Sequence, residues 1–298
     1  MFKYIIWLTK ILFLIFSIFF FLKVDFEKID FFDANQIFVL SILYIFHIFR
    51  IFRLFLIFKL MKQKIKIKQV VDIYYIGIYL GIVTPGRLGE LYRFKMINDI
   101  GIPKTSNFNI MLAEKLTDII SLLFFLSLIF FINFNHIPIS VVYSSFLIIL
   151  ICLMTIIGYN FFLKILENIL SKFKFSKNNK TINLFYNNNP FFILDLKKFI
   201  ILSFTTILIW LLFIYATQIG ININFEISFL ITMKYFIINT LITAIPISIM
   251  GLGIREVALI EILGIQNLEL IAVISLQFII FNLATIIPGM LLYVKKEI

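Results

Sequence analysis

Six runs of apolar residues, each about 20 residues or longer, leave this chain few ways to fold. A helix rises about 1.5 Å per residue, so about 20 residues cross the roughly 30 Å hydrocarbon core of a bilayer. The runs cover roughly 4–22, 35–58, 108–132, 139–162, 199–219 and 269–293. Of the 298 residues, 62% are hydrophobic and 14% are charged; soluble domains carry about 45–50% apolar and about 25% charged residues. A core of this size could not hide so many apolar side chains from water, so lipid must cover many of them. The sequence predicts an all-α membrane protein with no soluble domain.

Two further apolar stretches are broken in the middle. Residues 70–97 contain Thr84-Pro85-Gly86-Arg87-Leu88-Gly89-Glu90, and residues 229–264 contain Ile245-Pro246-Ile247-Ser248-Ile249-Met250-Gly251-Leu252-Gly253-Ile254-Arg255-Glu256. Lysine placement decides how they cross, because basic loops stay on the cytoplasmic side. Five Lys fall in 59–68, seven in 164–198, and Lys295 and Lys296 follow the last run, whereas 133–138, 220–228 and 265–269 hold no Lys or Arg. Two full spans plus 70–97 separate the first two basic loops. The first stretch must therefore return to the side it left, and by the same count the second leaves and returns on the outer face. They enter from opposite faces as re-entrant helical hairpins, with both termini cytoplasmic, in the plasma membrane. The expected architecture is an inverted repeat: a first half of about 1–163, a basic cytoplasmic loop of about 164–198 and a second half of about 199–298, all one polytopic domain. Interrupted segments in corresponding halves point to a transporter's binding site.

The net charge of +11 is read as topology and not as a nucleic-acid surface. The lone Cys152 excludes a disulfide within the chain and a cysteine-based zinc site. The first run is expected to be a retained span, since no small-residue cleavage site follows it.

The breaks carry the charges. If a helix restarts near Gly86, then Arg87, Glu90 and Arg93 follow at three-residue steps on one face. Unpaired N–H groups at such a start favour an anion, and Arg87 adds a full charge. Arg255 and Glu256 repeat the arrangement at the second break. The structural alternative is a lock in which Arg87 pairs with Glu256 and Arg255 with Glu90. Glu114 and Asp118 share a face near the start of the third full span, as a headgroup counter-charge, a proton relay or a wet interfacial cluster. His47, Arg50 and Arg53 form a ladder on the second span. Arg53 can snorkel toward the interface; His47 is expected to pack. No GxSxG, Gly-rich phosphate loop, HExxH or metal cluster is present, so neither catalysis nor a cofactor or metal is expected.

Residues Thr84 to Arg93 resemble the PGRxGE-x-x-R motif of the lysylphosphatidylglycerol synthase transmembrane-region family. Glu114-Lys115-Leu116-Thr117-Asp118 resembles its E-R/K-x-x-D motif, and Pro246 to Glu256 its P-x-S-x-x-G-x-G-x-R-E motif. Arg50 to Arg53 is similar to its Arg-containing segment. The motifs fall in the family's order. The family is associated with moving lipids between leaflets. Its best-known members add a cytoplasmic domain that aminoacylates phosphatidylglycerol; this chain is expected to stand alone without one. Other stand-alone relatives are linked to surface-glycan or isoprenoid-lipid pathways. The resemblance implies a flippase-like protein for a lipid bearing a phosphate, whether phospholipid or polyprenyl-phosphate-linked. Arg87, Glu90, Arg93, Arg255, Glu256, Glu114, Asp118 and Arg50 are the residues expected to meet its anionic headgroup, with a lipid- or glycan-modifying synthase as a candidate partner. The alternatives are a membrane transferase using Glu226 or Asp33, and a non-catalytic partner of a synthase.

Overall fold

The computed structural model describes residues 11, 15, 17–25, 34–84, 89–132, 196–244, 252–261 and 267–297. Every regular element among them is helical. In chain order the helices are α1 (Ala34–Leu60), α2 (Ile67–Val83), α3 (Tyr92–Asp99), α4 (Lys104–Ile132), α5 (Leu196–Asn222), α6 (Phe229–Ala244), α7 (Ile254–Glu261) and α8 (Leu268–Glu297). Four of the six apolar runs are thus long helices: 35–58 in α1, 108–132 in α4, 199–219 in α5 and 269–293 in α8. The run 139–162, most of 4–22 and most of the basic loop 164–198 lie outside the described residues. Among the described residues, Lys197–Asn222 and Leu268–Lys296 are long and apolar enough to cross a membrane without further help. α1 is interrupted by Arg50 and Arg53, and α4 by Glu114, Lys115 and Asp118.

Both broken stretches are two helices separated by a break: α2 and α3 in the first, α6 and α7 in the second. Local chemistry sets their ends. The amide of Lys66 donates to the Gln69 side chain at 2.9 Å where α2 begins. Asn267 accepts from the Leu270 amide at 2.9 Å where α8 begins. Each satisfies one of the four amides that a helix start leaves without an internal partner. α1 ends in a Schellman turn: Gln63 N–H reaches Phe58 O at 2.9 Å and Lys62 N–H reaches Lys59 O at 2.9 Å, with Lys62 left-handed at φ 56°.

By contacts, the described residues fall into two compact units. One gathers those within 1–54, 66–96 and 208–298, and the other those within 55–65 and 97–207. The first holds both breaks. In it α2 and α8 form a close helix pair, where Gly289 of α8 lies against the backbone of Tyr75. Glycine lets membrane helices approach to this distance. A second apolar cluster joins Phe20, Val24, Ile221, Tyr235, Leu259 and Leu270 to Ile274.

Candidate functional site

At the second break, Gly253 adopts φ +82°, a left-handed conformation that costs glycine little and other residues more. This turns the chain into α7, with Arg255 and Glu256 in its first turn. Both are sealed from solvent, at 1% and 0% exposure. Glu256 Oε2 accepts the Gly253 N–H at 2.6 Å, half of a capping box in which the third residue of the helix holds the amide preceding it. Glu256 Oε1 has no hydrogen-bond partner. One amide expected to attract an anion is therefore already held by a carboxylate of its own helix.

Arg255 turns to other partners. Its Nε donates to Asn239 Oδ1 of α6 at 3.0 Å and its Nη1 to the Ser275 carbonyl of α8 at 3.3 Å. Its Cζ lies 3.9 Å from the Phe278 ring centroid. A guanidinium over an aromatic face is attracted by the ring quadrupole, the more so when desolvated. The Tyr235 hydroxyl is within electrostatic range of both Arg255 and Glu256.

A second cation sits on aromatic faces in the same unit. Arg50 Cζ lies 5.7 Å from Phe46, 5.8 Å from Tyr74 and 5.5 Å from Trp210, measured to ring centroids. One turn earlier, His47 is buried, hydrogen-bonded through Nδ1 to the Tyr74 hydroxyl at 2.8 Å and stacked on Phe281 at 4.4 Å. His47 is thus a packing residue. Phe281 also meets Phe278 at 6.1 Å and Phe46 at 5.4 Å, so a continuous string of rings joins Arg255 to Arg50.

At the first break, a 3₁₀ turn at 89–91 leads into α3 at Tyr92, and the expected restart near Gly86 lies outside the described residues. Thr84 ties the turn to α2. Its hydroxyl donates to the Leu80 carbonyl and accepts the Gly89 amide, both at 2.6 Å. Gly89 is thereby folded back onto the end of α2, so close that a side chain there would meet the Leu80 carbonyl. Glu90 packs on Gly81 and Arg93 on Gly77, one turn apart on α2, where added methyl groups would strike their aliphatic stems. Glu90 lies in the 3₁₀ turn and Arg93 in the first turn of α3, and both side chains face α2. Arg87, with residues 245–251, lies outside the described residues. Thr84→Val keeps the shape and deletes both hydrogen bonds. It is expected to cost about 1–2 kcal/mol, read as an earlier thermal unfolding of the purified protein in detergent.

Glu114 and Asp118 belong to the second unit. On α4, Glu114 is buried, Asp118 half-buried and Lys115 exposed. Of the expected site residues, the first unit collects Arg50, Glu90, Arg93, Arg255 and Glu256.

The partners of these charges were missed from sequence. Asn239 carried a signal, since an amide inside an apolar helix is costly and needs a purpose. Tyr74, Trp210, Ser275 and Phe278 carried none, being ordinary members of apolar runs.

Comparison with known proteins adds two findings. The family described as lysylphosphatidylglycerol synthase TM region matches residues 6–291. The UPF0104 membrane protein MJ1078 of Methanocaldococcus jannaschii is 30% identical over 208 residues, 64% of this chain and 81% of that protein. No solved structure matches the chain.

Proposed function

The chain belongs to the lysylphosphatidylglycerol synthase transmembrane-region family and is a membrane protein, and from that premise we propose that it moves a lipid with a phosphate-bearing headgroup between leaflets. In this reading it is a plasma-membrane transporter and not an enzyme. Both termini are cytoplasmic, as the lysine-rich loops favour. The two interrupted stretches face each other as an inverted repeat, and rocking exposes the site to each leaflet in turn.

Arg255 carries the reading. A cation inside a membrane protein is costly and marks substrate pathways more often than packing. This one is held at its edge by Asn239 and the Ser275 carbonyl and on its face by Phe278. All three are neutral and can exchange for a phosphate. A guanidinium offers phosphate paired donors in a fixed fork. At 1% exposure the site is closed, so a headgroup reaches it only when the helices part. Arg50, at the other end of the aromatic string, is a second station for the same charge. Glu90 and Arg93, in the same unit, contribute supporting charge.

The test is reconstitution into liposomes with a fluorescent anionic lipid. Arg255→Gln is expected to slow transbilayer movement at least about tenfold. A hydrogen bond to a charged group contributes about 1.5–3 kcal/mol, and about 1.4 kcal/mol is a factor of ten. Equal rates for wild type and variant across a panel of anionic lipids would refute the assignment.

A further inference from the structure

Capping α7 uses only half of the Glu256 carboxyl. Oε2 accepts the Gly253 N–H at 2.6 Å, while Oε1 has no hydrogen-bond partner and the side chain is 0% exposed. A glutamine would make the same cap without a titratable group. Charge on an oxygen that neither water nor a donor reaches is costly. The adjoining cation does not relieve it by contact, because Arg255 directs its Nε to Asn239 and its Nη1 to the Ser275 carbonyl. What Arg255 gives Glu256 is its field, acting at short range where counterions cannot enter.

That field depends on what Arg255 holds. With Asn239, the Ser275 carbonyl and Phe278 around it, its positive charge acts on the neighbouring carboxyl. A phosphate on the guanidinium would cancel that charge and set a second anion beside Glu256. Two anions brought together out of water do not both stay charged, and one takes a proton. Its position is fixed at Oε1, since Oε2 stays with the Gly253 amide. A neighbour that can hand on a proton is present. Tyr235 is 3% exposed, its hydroxyl has no hydrogen-bond partner, and it lies within electrostatic range of Glu256. It also lines a cavity of about 10 Å³ with Thr217 and Gln277, room for about one water.

α7 packs against α6 and α8. Their ionisable groups are Lys234 and Tyr235 on α6, and Glu269, Tyr293, Lys295 and Lys296 toward the two ends of α8. Lys23 and Asp25 flank Val24 in the apolar cluster that Leu259 of α7 joins. Resting on the transport reading above, we propose that Glu256 is a proton-binding site linked to Arg255. One proton from the medium joins Oε1 as a phosphate joins Arg255, and the O–H bond breaks again when the phosphate leaves. Lipid and proton then travel in the same direction. With a singly charged phosphodiester the pair carries no net charge, and a pH difference across the membrane drives net lipid movement.

The probe is short-chain phosphatidylglycerol, a phosphodiester that keeps its single charge from weakly acidic to neutral pH. It is titrated calorimetrically into the full-length protein in detergent, in two buffers of different ionisation enthalpy. The difference in heat counts the protons taken up. Wild type is expected to take up as much as about one proton per lipid bound. Because the complex holds the extra proton, affinity is full at low pH and weakens by up to about tenfold per unit as pH rises through the uptake window. Glu256→Gln, which keeps a carbonyl for Gly253, is expected to bind the lipid with no uptake and with an affinity independent of pH. Arg255→Gln is expected to lose the uptake as well, having no cation for a phosphate to neutralise. Lipid binding by wild type with no proton taken up at any pH overturns the linkage, whether or not the variants fold, and leaves the transport reading in place. Uptake that survives in folded Glu256→Gln or Arg255→Gln overturns it too. If no lipid binds to wild type, the transport reading falls and the linkage with it.

Discussion

Gly289→Leu is expected to lower the stability of the purified protein by about 3 kcal/mol, near the upper end of the usual cost of overpacking. The position lies where α8 meets α2. Even a methyl group there would run into the Tyr75 carbonyl oxygen and the Tyr79 Cβ. Neither is the free end of a flexible side chain, so relief requires the two helix backbones to separate. Pro288, inside the same helix, already removes one backbone hydrogen bond from α8, which makes further displacement less tolerable. Thermal unfolding in detergent measures the effect, with Met290→Leu as control, because Met290 is 42% exposed. If Gly289→Leu melts with wild type, α2 and α8 do not approach this closely.

Glu256→Leu is expected to cost about 2 kcal/mol, while Glu256→Gln costs about 0.5 kcal/mol or less. The difference isolates the cap from the charge. Leucine leaves the Gly253 N–H without the acceptor it has at 2.6 Å, inside a region that excludes water, and an orphaned buried donor costs about 1–3 kcal/mol. Glutamine keeps a carbonyl oxygen for that amide. It also exchanges Oε1, which has no hydrogen-bond partner, for an amide nitrogen. Hydrogen exchange at Gly253 gives a local readout and should accelerate only in the leucine variant. Equal destabilisation by both substitutions would mean that charge and not capping holds the start of α7.

Helical architecture was legible because hydrophobicity within each run is a property of the run alone. Length and composition place α1, α4, α5 and α8 within a few residues, and Pro with Gly locates both breaks. Where the chain resumes was less legible. Thr84 stood beside the break, but that its hydroxyl accepts the Gly89 amide ahead of α3 depends on how the chain folds back, which no local pattern shows. Arg255 and Glu256 stood out as charges beside a break, yet pairing charges by sign missed what Glu256 does. Its spacing of three from Gly253 is the capping signature, and it could have been read. Asn239 and Ser275 lie 16 and 20 residues from Arg255. Their meeting depends on the rotation of α6 and α8 about their own axes, which in helices apolar all round no pattern reveals. The aromatic faces around Arg50 come from three helices and were equally silent.

The sealing of Arg255 by Asn239, Ser275 and Phe278 has a consequence for the ions in the surrounding medium. Dissolved salt screens charges over about 8–10 Å, but only where the electrolyte can enter. A guanidinium at 1% exposure lies behind low-polarity material that excludes counterions. Its field within the protein is thus insensitive to dissolved salt, in cells of high or low ionic strength alike.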